Sequence, residues 1–248
     1  MGVNTYQVIL TPTPLRPIGL VINGRLNPRR PIGRPGRYSS HRRNHRRPRP
    51  ASAVLEKGIL GSTAVVLSRK GFAGTRLSDI AEHADLQAPA VYYYFKSREE
   101  LIEEVVVSGV RCMHDHVIGA LAATSEEARP MDRVLIAAEA HLQQVLGASA
   151  YTTAATRNGG QMPEHLRVRY ESERQSYGNV WRELLAAAAE AGELNPNIDL
   201  GMARMLVLGA LDWTAEWWRP ERGSFEYLVT TAQTLIRNGI GAAPESRE

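Results

Sequence analysis

The 248-residue chain has a single cysteine, Cys112, which excludes an intramolecular disulfide and any cysteine-based zinc site and fits a reducing, cytoplasmic setting. No apolar run approaches the roughly 20 residues that a membrane-spanning helix needs. The early YQVILTPTPLRPIGLVING is interrupted by Pro and Arg, so it makes a poor signal peptide. The strict apolar/polar alternation of a half-buried strand is missing throughout, and no repeat of solenoid length recurs. There is no GxSxG elbow, Walker loop, HExxH or GxGxxG, so the sequence offers little to an enzyme reading and calls for no cofactor or metal. The HDH run of His114, Asp115 and His116 does not change this. Residues i and i+2 of a helix point to different sides, which leaves a solvated or core histidine pair rather than metal ligands.

Lysine, aspartate and glutamate are absent from residues 1–50, which carry 11 Arg and 8 of the 14 Pro. The rest of the chain therefore holds 19 basic residues against all 26 acidic ones. The stretch RRPIGRPGRYSSHRRNHRRPRP has neither a helical nor a strand period, and its composition predicts disorder. Two readings stay open: a basic arm that follows DNA phosphates and adds salt-sensitive affinity, or a translated upstream segment with no such role.

From Ala51 the composition becomes that of a folded helical protein, long enough to bury a sizeable core in one or two domains. Ile59, Leu60, Thr63, Ala64 and Leu67 form one stripe and predict a first helix of some 18 residues. Its end is expected at Arg69, Lys70 and Gly71, with Gly71 in the left-handed conformation and Phe72 folding back on Leu67. Next, Leu77, Ile80, Ala81 and Ala84 recur at i, i+3, i+4 and i+7, with Thr75 as candidate N-cap. Asp85 and Leu86 make a tight joint. Ala88, Val91 and Phe95 then continue the inward face of a further short helix, while Pro89, Ala90 and Tyr93 point outward and Tyr92 and Tyr94 lie on the flanks. Two helices on so short a turn have the geometry that lays the second in the DNA major groove. Small side chains at Pro89 and Ala90 would let backbone approach base edges and a thymine methyl, and tyrosine hydroxyls would reach phosphates. An ordinary helical hairpin with half-buried tyrosines is the plainer alternative.

The run LSDIAEHADLQAPAVYYYFKSREEL resembles the DNA-binding signature of the TetR family of bacterial transcriptional regulators. It departs from that signature at Asp85, where the family usually has Gly, and at Gln87, where it usually has a Ser or Thr cap. The resemblance implies an all-α protein with an N-terminal three-helix DNA-binding domain (51–97) and a C-terminal helical domain for ligand binding and dimerisation (98–241), flanked by the tail 1–50 and by 242–248. It assigns DNA contact to Thr75, Arg76, Gln87, Ala88, Pro89, Ala90, Tyr92, Tyr93 and Lys96. The partners it implies are a palindromic double-stranded operator, a second copy of the chain and a small-molecule effector.

Ser97 to Glu100 reads as a capping box, the Ser97 hydroxyl serving the Glu100 N–H and the Glu100 carboxylate reaching back to Ser97. It opens a long helix to about Ala123. Further helices are expected over Pro130–Leu146, Ala150–Arg157, Pro163–Ala191, from Asp199 or Leu200 to about Trp218, and over Phe225–Asn238, with Pro220 and Gly223 in the last break. LGMARMLVLGALDWTAEWW is apolar almost all round, so one face must meet its own domain and another a partner. Trp213, Trp217 and Trp218 suit an interface, or equally an intrachain core.

The run from Tyr170 through VWRELL, GELNPNID, LDWTAEWWRP and LIRNGI is similar to a branch of the family that regulates fatty-acid and steroid breakdown and often responds to acyl-CoA thioesters. Candidate pocket residues are Tyr151, Arg157, Arg174, Tyr177, Trp181 and Trp213, since aromatics suit an acyl or ring system and Arg suits phosphate. A drug-responsive efflux regulator of the same fold is the nearest alternative. A helical enzyme or an interaction module without DNA is the more distant one.

Overall fold

The computed structural model describes residues 50–147 and 149–242. The readings that fall on residues 1–49 and on the tail from 243 lie outside that range. The chain is all-α. In order come α1 (Pro50–Gly74), α2 (Leu77–His83), α3 (Ala88–Tyr94), α4 (Arg98–Ala122), α5 (Pro130–Leu146), α6 (Ala150–Asn158), α7 (Arg167–Glu190), α8 (Leu200–Trp217) and α9 (Phe225–Ile240).

Local chemistry starts several of these helices. Ser97, Ser149, Asp199 and Ser224 accept the N–H groups of Glu100, Thr152, Met202 and Tyr227, one orphan donor each for α4, α6, α8 and α9. The box at α4 is only half as expected: the Glu100 carboxylate takes the Lys96 N–H at 2.7 Å instead of that of Ser97. The joint between α2 and α3 closes as a Schellman motif. Asp85 sits at φ 55, its N–H meets the Glu82 carbonyl, and the Leu86 N–H reaches back to Ala81. Leu86 then packs on the same apolar cluster as Ala81. Asp serves here because its short polar side chain tolerates the left-handed region better than most.

Three expectations need correction. Gly71 does take a positive φ of 70, but its ψ of 175 is extended, so α1 kinks there and runs one turn further to Gly74. Thr75 does not cap α2. That kink brings the chain round so that the Thr75 hydroxyl donates to the Gly71 carbonyl, and the N-cap is Arg76, whose N–H is taken by the Asp79 carboxylate. The helix expected from Pro163 starts at Arg167, because Pro163 is extended and Glu164–Leu166 form a separate 3-10 turn.

Two apolar clusters result. A small head core holds Ile59, Val66, Ile80, Ala81, Val91, Phe95 and Leu101. The larger body core draws on α4 to α9. Two helices belong to both: α1 gives Ile59 and Val66 to the head but Ala64 and Leu67 to the body, and α4 gives Leu101 to the head and Ile102 onward to the body. The head is thus held by rigid rods that extend into the body. Helices α4 and α6 cross closely at Gly109, where a Cβ would collide with the Tyr151 carbonyl and lie 2.7 Å from the Ala155 side chain. Any residue larger than Gly would push them apart.

Candidate nucleic-acid interface and effector cavity

Because α3 turns Val91 inward, the opposite face is presented to solvent. Tyr93 is 84% and Tyr92 58% exposed. Gln87, Pro89 and Lys96 are exposed as well, Ala88 and Ala90 half-buried, and Tyr94 leans edge-on against Tyr93 at 5.1 Å. Gln87 is the N-cap residue, yet its side chain makes no capping bond and remains free to reach outward. Arg76 is exposed at the start of α2. Thr75 differs from the others: at 1% exposure it faces the interior, so its hydroxyl is not available to a phosphate. Lys70 reaches Asp79 at 3.0 Å and ties the end of α1 to α2. The hydrogen bond from Lys70 holds the Asp79 carboxyl below its ordinary range.

The start of α4 is fastened to this head by one side chain. Arg98 stacks 4.7 Å from the Phe72 ring centroid and donates to the Phe72 carbonyl and, at 2.6 Å, to the Thr75 carbonyl. Further back along α1, α6 holds the turn that precedes the Gly71 kink. Asn158 Nδ2 donates to Leu67 O at 3.4 Å and Arg157 Nη1 to Ser68 O at 3.3 Å, while Arg157 Nε pairs with Glu216 of α8 at 2.8 Å. Carbonyls of α1 just before its kink therefore accept from residues of the body.

A cavity of about 470 Å³ opens between α4, α6, α7 and α8, within the size range of small-molecule sites. Its apolar wall includes Val110, Met113, Ala155 and Leu208; Arg174, Arg182 and Arg204 bring cationic groups, and Glu171 and Asp212 acidic ones. Arg204 is placed with some care. Its Nη1 donates to the Gly178 carbonyl at 3.0 Å, and a Cβ at position 178 would stand 2.9 Å from that nitrogen. Among the described residues no carboxylate pairs with Arg204 or Arg182, whereas Arg174 has Glu171 at 3.9 Å. One wall carries a buried polar chain: His141, 2% exposed, meets the Tyr177 hydroxyl through Nδ1 at 2.7 Å and Asp212 Oδ1 through Nε2 at 3.1 Å. Burial raises the Tyr177 phenol well above its ordinary pKa, so it keeps its proton.

Of the pocket residues expected from sequence, Arg174 and Tyr177 line this cavity. Trp181 does not. It is fully buried behind His141, with ring centroids 6.2 Å apart. Arg157 and Trp213 line a separate, more open hollow of about 600 Å³ against the end of α1, which meets the cavity at Thr156, Gly209 and Asp212. Tyr151 is half-buried between α4 and α6, outside both. His114 and His116 diverge as expected, His114 toward Tyr177 and His116 to Gln143 at 2.9 Å.

The family described as bacterial regulatory proteins, tetR family, matches residues 59–105, and the tetracyclin repressor-like C-terminal domain matches 127–227. The chain belongs to the TetR family. That makes it a transcriptional regulator and not an enzyme. Among curated relatives it is 20% identical over 188 residues to the fatty acid metabolism regulator protein of Bacillus subtilis, covering 73% of this chain and 93% of the relative. It is 20% identical over 192 residues to the transcriptional repressor KstR2 of Mycobacterium tuberculosis, again 73% of this chain and 93% of the relative. Among solved structures, AibR in complex with isovaleryl coenzyme A and operator DNA superposes with a TM-score of 0.67 at 18% identity, over 73% of this chain and 97% of that one.

The family's C-terminal helices carry a further feature in this chain. Along α8 and α9, Met202, Met205, Leu206, Trp213, Tyr227 and Leu235 are exposed, Trp213 to 65%. Large apolar side chains exposed together along two neighbouring helices are the mark of an interaction face. Trp217 is partly exposed beside them and Trp218 half-buried. Among the described residues no helix is long and apolar enough to cross a membrane. Sequence reasoning had missed His141, Asp212 and Arg204. Nothing in AEAHLQQVL or LGMARMLVLGALDW distinguishes them, though a lone Arg and a lone Asp in the most apolar helix of the chain were a usable signal.

Proposed function

We propose that the protein is a cytoplasmic homodimeric repressor that holds a palindromic operator through its two copies of α3 and leaves it when an acyl-CoA thioester fills the body cavity. The observation that carries the effector class is Arg204, a guanidinium set on an apolar cavity wall with no carboxylate beside it among the described residues. An anion with an apolar body satisfies both the wall and the charge. Arg174 and Arg182 add to the positive rim. The relatives named as a fatty acid metabolism regulator and as a complex with isovaleryl coenzyme A support the same class.

On the DNA side, Ala88, Pro89 and Ala90 approach base edges in this reading, and Arg76, Gln87, Tyr92, Tyr93 and Lys96 take phosphates or groove edges. The exposed apolar residues of α8 and α9 pair two protomers and set the α3 helices about 34–36 Å apart, one turn of DNA. A ligand wedged between α4, α6 and α8 acts on both fastenings of the head: the α6 grip on α1 and the Arg98 clamp on the Phe72–Thr75 loop. Effector and operator then oppose one another by linkage, typically by about 1–3 kcal/mol.

The test is fluorescence anisotropy with DNA from upstream of the protein's own gene. Long-chain CoA thioesters are expected to release the protein at roughly micromolar levels and free CoA is not, because the apolar part must fill the cavity. If a broad thioester panel neither binds nor releases while hydrophobic drugs do, the efflux-regulator reading replaces this one.

A further inference from the structure

A helix N-cap stabilises by accepting the N–H of the second or third helical residue, and Ser, Thr, Asp and Asn do this best. The N-cap of α3 is Gln87, and its side chain makes no such bond. A cap would gain little at this position. The second residue of the helix is Pro89, which has no N–H, and the N–H of the third, Ala90, already meets the Gln87 carbonyl at 2.9 Å. The Gln87 side chain is thus exposed and has no task in starting the helix. It is also the one side chain among residues 87–90 that can hydrogen-bond, since Ala88, Pro89 and Ala90 follow it. The hydroxyls of Tyr92 and Tyr93 come more than a turn later, and Lys96 lies beyond the end of α3.

In a helix-turn-helix the N-terminal residues of the second helix meet base edges, while the first helix crosses the backbone. Resting on the operator reading above, we infer that Gln87 is a base-reading residue: its amide oxygen accepts from adenine N6–H and its NH2 donates to adenine N7, which selects an A·T pair at one position of each half-site. Adenine shows a donor beside an acceptor in the major groove, and a Gln amide matches both at once. A phosphate offers acceptors alone and would leave the amide oxygen unused. The small side chains of Ala88 and Ala90 let this end of α3 come close to the bases, and none of residues 88–90 competes with Gln87 for their hydrogen-bonding groups. Two copies of α3 related by a dyad place the adenine on opposite strands at mirrored positions.

The experiment is selection from a pool of randomised duplexes with the full chain, repeated on Gln87→Ser and Gln87→Glu, followed by titration of the selected duplexes. The wild type is expected to select an adenine at mirrored positions. Gln87→Ser should leave that position without a preference, binding the wild-type operator about tenfold less tightly and duplexes with another base there to within about twofold of the wild type. Gln87→Glu should move the preference to cytosine, whose N4–H2 group donates to a carboxylate. Urea unfolding should show both variants about as stable as the wild type, because the cap position has little to lose. An unchanged selected sequence overturns the inference, whether the variants bind every duplex equally weakly, which makes Gln87 a phosphate anchor, or bind as the wild type does, which leaves it without a contact. A wild type that selects no palindrome overturns the operator reading together with it.

Discussion

In the head, the buried hydroxyls of Thr63 and Thr75 donate to carbonyls four residues back, those of Ile59 and Gly71, at 2.8 and 2.7 Å. In the body, His141 reaches Tyr177 at a separation of 36 residues and Asp212 at 71, and Asn158 reaches Leu67 at 91. The first kind of bond belongs to one helix or loop and survives any rigid movement of it. The second kind joins separate helices and breaks when they slide. The body also contains the buried polar atoms without a partner, Asn158 Oδ1 and Trp181 Nε1, a cost that the head does not carry among the described residues. A ligand entering between the body's helices would therefore disturb bonds of the second kind and leave those of the first kind in place.

The largest effect that bears on this contrast is expected at the two cores. Trp181→Ala should lower stability by about 3–5 kcal/mol through the cavity it leaves, and Ile80→Ala in the head by about 2–5 kcal/mol. Trp181→Phe should cost much less than Trp181→Ala, because the indole N–H it removes has no acceptor to lose. Since α1 and α4 run through both cores, each variant should shift a single urea transition. Separate transitions for head and body would show that the shared rods do not couple them, and the contrast would then be between two independent folding units.

How much of this was legible in the sequence follows from the same contrast. Much of the head is specified by patterns within a few residues, so helical period, the Asp85 joint and the outward tyrosines could be read directly, down to the fold and the exposed face. Thr75 was misread because its role depends on the ψ of Gly71, which no side-chain pattern reveals. In the body, Arg174 and Tyr177, expected in a pocket for their chemistry, line the cavity. Trp181 and Arg157 were placed in the pocket on the same grounds, yet one is core and the other braces α1 ahead of its kink, because an aromatic or an Arg on a helix says nothing about which neighbour it meets. His141, Asp212 and Arg204 become a site only when α5, α7 and α8 are brought together, and that is information of long sequence separation.

At the boundary between the two regions stands Arg98. Replacing it by Met keeps the apolar stem but removes the hydrogen bonds to the Phe72 and Thr75 carbonyls, the ion pair with Glu99 and the stacking on Phe72. Operator affinity should fall by about 1.5–3 kcal/mol. Effector affinity in the absence of DNA should stay as it was, and the change in operator affinity that the effector causes should shrink. Titrating operator with and without thioester measures all three quantities. A full effector response in Arg98→Met would move the link between body and head from this clamp to the α6 grip on α1.

Within the head, the proposed division between positioning and reading predicts two distinct signatures. Ala90→Gln should change the preferred base at one position of each half-site by about 1–3 kcal/mol. Lys96→Ala should weaken every DNA about equally and reduce the log–log salt slope by about 0.9. Selection from randomised operators distinguishes them. If Lys96→Ala alters the selected sequence while Ala90→Gln merely scales affinity, α3 lies in the groove in a different orientation.

The smallest effect is expected where the head departs from the family's usual glycine. Asp85 holds φ 55 in the α2–α3 joint, a conformation that costs most L residues roughly 1–2 kcal/mol and Asp somewhat less. Glycine removes that cost but gains freedom in the unfolded chain, worth about 0.5–1 kcal/mol in the opposite direction. Asp85→Gly should therefore raise stability by less than about 1 kcal/mol. The urea slope should stay the same, because no surface changes its burial. Both hydrogen bonds of the joint are backbone bonds, from Asp85 N to Glu82 O and from Leu86 N to Ala81 O, and they do not depend on the side chain. Operator affinity should be unaltered for the same reason, since the entry angle of α3 is fixed by the backbone and by Leu86 in the head core. A clear loss of stability would mean that the exposed Asp85 carboxylate contributes something of its own, and an altered operator preference at unchanged stability would mean that the joint, supposed rigid, sets the angle of α3 through its side chain.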